Sequence, residues 1–88
     1  MTRAREALGL DVGDVAALLG VATSTVYRWE ADDGRRLDPR SRALLDVLEE
    51  VARQPDARDT GAALRRELRM RGPLAALYAL LGRVYGQG

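Results

Sequence analysis

The stretch Asp11-Val12-Gly13-Asp14-Val15-Ala16-Ala17-Leu18-Leu19-Gly20-Val21-Ala22-Thr23-Ser24-Thr25-Val26-Tyr27-Arg28-Trp29-Glu30-Ala31 decides how this chain is read. Asp11 followed by Asp14 has the spacing of a capping box, with Asp in place of the usual Glu. Val12, Val15, Ala16 and Leu19 then recur at i, i+3, i+4 and i+7, so this is an amphipathic helix of about two turns. Gly20 ends it. A second short helix follows from Thr23 to Ala31, in which Val26 and Trp29 share a face with Ala22, leaving Thr23, Ser24, Tyr27 and Arg28 pointing away from the core.

Two short helices joined by a tight glycine turn, the second with small polar and Arg residues outward, are the elements of a helix-turn-helix. Small Ala16 lets the second helix cross close over the first, Val21 and Val26 fill the gap between them, and Trp29 anchors the far end.

Working outward, Thr2 is placed to cap a first helix that runs to Leu8, with Gly9 at its end. Asp32 to Leu37 has no periodicity and reads as a loop. Asp38-Pro39 opens a fourth helix, with Leu44, Val47, Leu48 and Val51 as its apolar stripe to about Arg53. Gln54-Pro55-Asp56 breaks it. Thr60 is read as the cap of a fifth helix ending at Met70, with Leu64 and Leu68 inward and Arg58, Arg65, Arg66 and Arg69 mostly outward. A sixth, from Pro73 to about Tyr85, is apolar nearly all round and calls for burial on most sides. The expected class is all-α: a compact helical bundle containing a helix-turn-helix, with two additional C-terminal helices. Residues 1–54 are expected to be the helix-turn-helix domain and 55–88 a two-helix segment for dimerisation or partner binding.

Composition removes most other classes. The chain has 88 residues with neither Cys nor His, which excludes disulfides, thiolate nucleophiles, imidazole bases and ordinary zinc sites. Nothing assembles the remaining carboxylate, Tyr, Ser and Arg groups into a catalytic set, so no enzyme, cofactor or metal is expected. The stretch Met1-Thr2-Arg3-Ala4-Arg5-Glu6 is charged and lacks the apolar run of a secretory signal, and the longest apolar run, Pro73 to Gly82, falls short of the roughly 18 residues that span a bilayer. A cytoplasmic, nucleoid-associated protein with no membrane contact is expected.

Formal net charge is +1, and all 14 basic residues are Arg. Residues 1–54 hold eight Arg and ten acids, a net −2, whereas 55–88 hold six Arg and three acids, a net +3. A nucleic-acid binder usually carries a clear basic excess, so here the attraction must come from local clusters.

Through Leu8-Gly9-Leu10-Asp11, Val15-Ala16-Ala17-Leu18-Leu19-Gly20-Val21 and Ser24-Thr25-Val26-Tyr27-Arg28-Trp29-Glu30, the sequence resembles the Cro/C1-type (Xre) helix-turn-helix regulators over roughly residues 3 to 50. The resemblance implies a phage-repressor-like bundle that binds double-stranded DNA, usually as a dimer, with its third helix in the major groove. By position it makes Thr23, Ser24 and Arg28 base contacts, Tyr27 a variable fourth, and Thr25 a phosphate contact. Arg5 and Glu30 match a pair that often forms a salt bridge bracing the first helix against the third. Two positions depart from the pattern. Val12 stands where a phosphate-clamping Gln is common, and Ala22 stands where Ser or Thr commonly caps the recognition helix. A cap at Thr23 instead would withdraw it from base contact.

Read for its own chemistry, Arg28 is best suited to specificity, because its planar fork can donate two bonds to guanine O6 and N7. Arg35, Arg36, Arg40 and Arg42 lie in and after the loop beyond the recognition helix, where they offset Asp32 and Asp33 and can meet backbone phosphates. Leu74, Leu77, Tyr78, Leu81, Val84 and Tyr85 form an apolar surface for the domain's own core, a homodimer seam or a protein partner. The expected function is sequence-specific duplex binding by a transcriptional repressor acting as a homodimer. One alternative is an antitoxin or adaptor working through its C-terminal helices, and another is a nonspecific packaging protein using the C-terminal Arg face.

Overall fold

Six helices follow one another: α1 (Thr2–Leu8), α2 (Val12–Leu19), α3 (Thr23–Ala31), α4 (Pro39–Ala52), α5 (Ala57–Met70) and α6 (Pro73–Tyr85). The computed structural model describes residues 2–32 and 37–85, and Arg35 and Arg36 lie outside them. The all-α class stands, with no strand among the described residues.

The start of α2 is a reciprocal capping box. The Asp11 carboxylate accepts from the Asp14 backbone N–H at 2.8 Å, and the Asp14 carboxylate accepts from the Asp11 N–H at 3.0 Å. Two of the N–H groups that a helix start leaves unpaired are thereby satisfied. The other end of α2 is Gly20 at φ 71°, a left-handed conformation that costs a side-chain-bearing residue energy. That turn brings the Val21 N–H to the Ala16 carbonyl at 3.0 Å and launches α3.

Two boundaries differ from expectation. Thr2 is the first residue inside α1 rather than a cap outside it. Thr60 does not cap α5, which begins one turn earlier at Ala57, and Thr60 is buried at 1% exposure. The reason is the turn at Gln54 to Asp56. It redirects the chain so that Ala57, Thr60, Gly61 and Leu64 face the core, and the Thr60 N–H bonds to the Asp56 carbonyl at 3.0 Å.

A single apolar core runs through both halves of the chain, from Leu8, Val15 and Val26 to Leu48, Leu64 and Leu80. Helix α5 lies against α1, α2 and α4, while α6 lies against α5, α4 and α2. The radius of gyration, 12.0 Å, is close to the about 12 Å that a chain of this length has when fully folded back on itself. Burying each large side chain of this core contributes about 1.5–3 kcal/mol relative to leaving it exposed.

Helix α5 crosses the end of α1 at very close range. A Cβ built on Gly61 would sit 1.6 Å from the Leu8 carbonyl oxygen, a backbone atom with no rotamer through which to yield. Glycine is therefore required at this crossing by space. On α6, Ala76 and Leu80 are buried, but Leu74, Tyr78 and Tyr85 are 65%, 68% and 71% exposed. The expectation that α6 is covered on most sides is therefore corrected: within one chain only one of its faces is covered.

Gly61→Ala should destabilise the fold by at least about 1–3 kcal/mol, because the helices must separate to admit a methyl group. Gly82→Ala, in open space on α6, should be neutral or stabilising by up to about 1 kcal/mol. Thermal and urea unfolding of the two variants checks the contrast. Equal stability of Gly61→Ala and the unmodified chain would refute the close approach.

Candidate nucleic-acid interface

Helix α3 separates two kinds of residue. Val26 is fully buried and Trp29 is 6% exposed, and together they pin the helix to the core. Thr23, Ser24, Tyr27 and Arg28 are exposed, Tyr27 at 62%. Their spacing follows from the helical period, since positions i, i+1, i+4 and i+5 share a face opposite to i+3 and i+6. Thr25 is half-buried on the flank between the two faces. The N-cap of α3 is Ala22, which makes no side-chain capping bond, so Thr23 is the first helical residue and its hydroxyl is not spent on a cap. Seen as donors and acceptors, this face offers two small hydroxyls, one phenol and one guanidinium fork, a set able to bond to base edges in a groove.

The orientation of α3 is set by Arg5. Its Nε donates to Glu30 Oε2 at 2.8 Å, a second nitrogen reaches Glu30 Oε1 at 3.5 Å, and a third bond runs to the Leu10 carbonyl at 3.1 Å. Both side chains are mostly withdrawn from water, at 17% and 14% exposure, so the pair is screened less than a surface ion pair. The hydrogen bond to Glu30 raises the Arg5 pKa further above its ordinary value and keeps the guanidinium charged. One side chain thereby joins α1, the link into α2, and the last turn of α3.

Beyond α3, Arg40 and Arg42 are exposed on the first turn of α4. That helix starts with Pro39 at its first position and Asp38 as N-cap in extended backbone. The Ser41 side chain, and to a lesser degree the backbone N–H groups of Asp38 and Ser41, hydrogen-bond to the Asp38 carboxylate and hold its pKa below the usual carboxylate value. Arg35 and Arg36, expected as phosphate contacts, lie outside the described residues.

The C-terminal residues do not share one environment. Leu74, Tyr78 and Tyr85 are exposed, whereas Leu77, Leu81 and Val84 are half-buried against the core. No group of His, Cys, Asp and Glu among the described residues could hold a metal ion, and no helix there is long and apolar enough to cross a membrane.

Three contacts had not been singled out in the sequence. Arg65 of α5 lies 3.1 Å from Asp14 of the α2 capping box. Nothing local announces this pair, since its members are far apart in the chain. The Ser41 bond to Asp38 is legible in hindsight from the three-residue spacing of a helix start, and the Leu10 carbonyl as an acceptor for Arg5 has no sequence signal at all.

A helix-turn-helix family model matches residues 1–53, the span that contains α1 to α4. No curated protein and no solved structure matches the chain.

Glu30→Gln leaves Arg5 partly desolvated and without its counter-charge, and should cost about 1–3 kcal/mol in urea unfolding. The Arg5→Gln, Glu30→Gln double variant should lose less than the sum of the single losses; strict additivity would show the pair to be uncoupled. A second test uses acid. Because Asp38 is lowered below 3.8, it stabilises the fold above about pH 4, and this contribution disappears as the pH falls through its folded-state value. Ser41→Ala should therefore show a shallower drop in urea midpoint between about pH 5 and pH 2 than the unmodified chain.

Proposed function

The chain belongs to the Cro/C1-type helix-turn-helix family of DNA-binding regulators, and from that premise we propose that it is a sequence-specific operator-binding repressor acting as a homodimer. The observation that carries this reading is the polarity of α3: apolar Val26 and Trp29 are buried, while Thr23, Ser24, Tyr27 and Arg28 stand exposed on the opposite face. In the proposed complex α3 enters the major groove and α2 crosses the backbone. Arg28 donates both arms of its fork to a guanine, which fixes one base pair. Thr23 and Ser24 accept or donate to several bases and touch thymine methyl groups, and Tyr27 reaches a base or sugar. Thr25, Arg40 and Arg42 meet phosphates, which adds affinity without sequence information.

The dimer reading is supported by the exposed side of α6. Leu74 and Tyr78 are one turn apart, and Tyr85 continues the same side two turns further on. Apolar side chains exposed in a row on so small a domain favour a second copy as their cover, with Leu77, Leu81 and Val84 at the margin of the contact. The two recognition helices would then lie about 34 Å apart, one helical turn of DNA. The alternative cover for the same row of side chains is a protein partner, as in an antitoxin or adaptor. That reading gains if the isolated chain is monomeric and selects no DNA sequence.

Selection of preferred duplexes from a random pool should enrich a palindrome. Arg28→Ala should relax the preference at one base pair in each half-site and weaken the selected duplex by about 1–3 kcal/mol per half-site. An unenriched pool, or an Arg28→Ala variant with unchanged preference, would count decisively against the assignment.

A further inference from the structure

Helix α5 has two unlike flanks. With Gly61 and Leu64 turned into the core, the 3.6-residue period places Arg58, Arg65 and Arg69 together on one side and Glu67 on the other. The basic flank is fixed in space by Arg65, whose Nε lies 3.1 Å from Asp14 Oδ2 in the first turn of α2. Asp14 is held there by the capping box, so this flank of α5 borders the N-terminal turn of α2.

Most other arginines of the C-terminal half are matched by acids of the same chain. Arg71 pairs with Glu67 at 3.6 Å and Arg83 with Asp56 at 3.4 Å. Arg58 and Arg69 are exposed and take part in no ion pair among the described residues. The net +3 of residues 55–88 is therefore least compensated on this flank, beside a helix-turn-helix half whose own balance is −2.

We propose that Arg58, Arg65 and Arg69 form a second phosphate-binding surface, which receives the duplex backbone alongside α2. The inference rests on the reading of α2 and α3 as the DNA-binding pair, because the first helix of such a pair is the one that crosses the backbone. Two tasks divide among the three residues. Arg65 neutralises Asp14, whose charge would otherwise repel an approaching phosphate. Arg58 and Arg69 present forked donors to phosphate oxygens on either side of it. Contacts of this kind add affinity and fix register without reading bases. The surface also answers the charge deficit of residues 1–54, because the C-terminal helices supply the basic balance that the helix-turn-helix half lacks.

The test compares the full chain with Arg58→Ala, Arg69→Ala on the selected duplex and on an unrelated one, between 50 and 200 mM salt. Arg65 is left in place because of its ion pair with Asp14, and a thermal melt checks that the exposed substitutions leave the fold intact. The double variant should bind both duplexes more weakly by similar factors and keep its base preference. Its slope of log affinity against log salt should become shallower by about 1–2, since each phosphate that is no longer neutralised removes about 0.9 from it. Arg58→Lys, Arg69→Lys should restore most of the affinity. Affinity and salt slope equal to those of the unmodified chain would overturn the proposal while leaving the role of α3 intact. Loss of binding in this variant together with unchanged preference in Arg28→Ala would instead overturn the role of α3 and keep the α5 surface. Failure of the unmodified chain to bind either duplex would overturn both.

Discussion

The three-way joint at Arg5 is the constraint on which the geometry of the recognition face depends. A helix as short as α3 has few internal hydrogen bonds to hold it and depends on its neighbours for direction. Val26 and Trp29 fix which side of it is buried, but apolar contacts alone tolerate sliding and rotation. The guanidinium removes that freedom, because its bonds to Glu30 and to the Leu10 carbonyl are directional and lie at different ends of the helix-turn-helix. The exposed hydroxyls and Arg28 thus inherit their aim from a residue that lies on α1, outside both helices of the motif.

Charge is arranged by the same economy. The first four helices carry a slight acidic surplus, and much of it is already committed: Asp11 and Asp14 close a helix start, Glu30 holds Arg5, and Asp38 is bonded to Ser41. Net charge counted along the sequence therefore understates how basic the surface can be where it matters. Acids tied into caps and ion pairs still count in the formal total, but their fields are largely offset by the dipoles and cations they face.

Local rules went far in this sequence because its elements are short and well marked. The capping spacing at Asp11, the glycine at position 20, the proline at position 39 and the three- and four-residue recurrence of apolar positions define α2, α3 and α4 with little help from the rest of the chain. The outward side of α3 follows from the same recurrence. What local rules missed is tertiary. Thr60 has the residue type of a cap, yet the turn at Gln54 to Asp56 starts α5 three residues earlier, at Ala57, and sends the Thr60 side chain inward. Gly61 reads as a weak spot in a helix until α1 is placed against it. The run from Leu74 to Tyr85 calls for burial on most sides, but hydropathy does not say how many neighbours one chain supplies. In a bundle this small, Ala76 and Leu80 are fully covered, Leu77, Leu81 and Val84 only in part, and Leu74, Tyr78 and Tyr85 stay exposed.

The crossing of α5 over Leu8 bears on how separable the parts of this protein are. Leu8, Val15 and Leu48, all belonging to the matched helix-turn-helix span, share one core with Leu64 and Leu80 from the last two helices. A chain cut after α4 would turn that shared surface into a bare apolar patch. The last two helices thus complete the core of the first four. A graft of the DNA-reading face onto another scaffold must carry the α5 contact with it, or supply something equally close-fitting in its place.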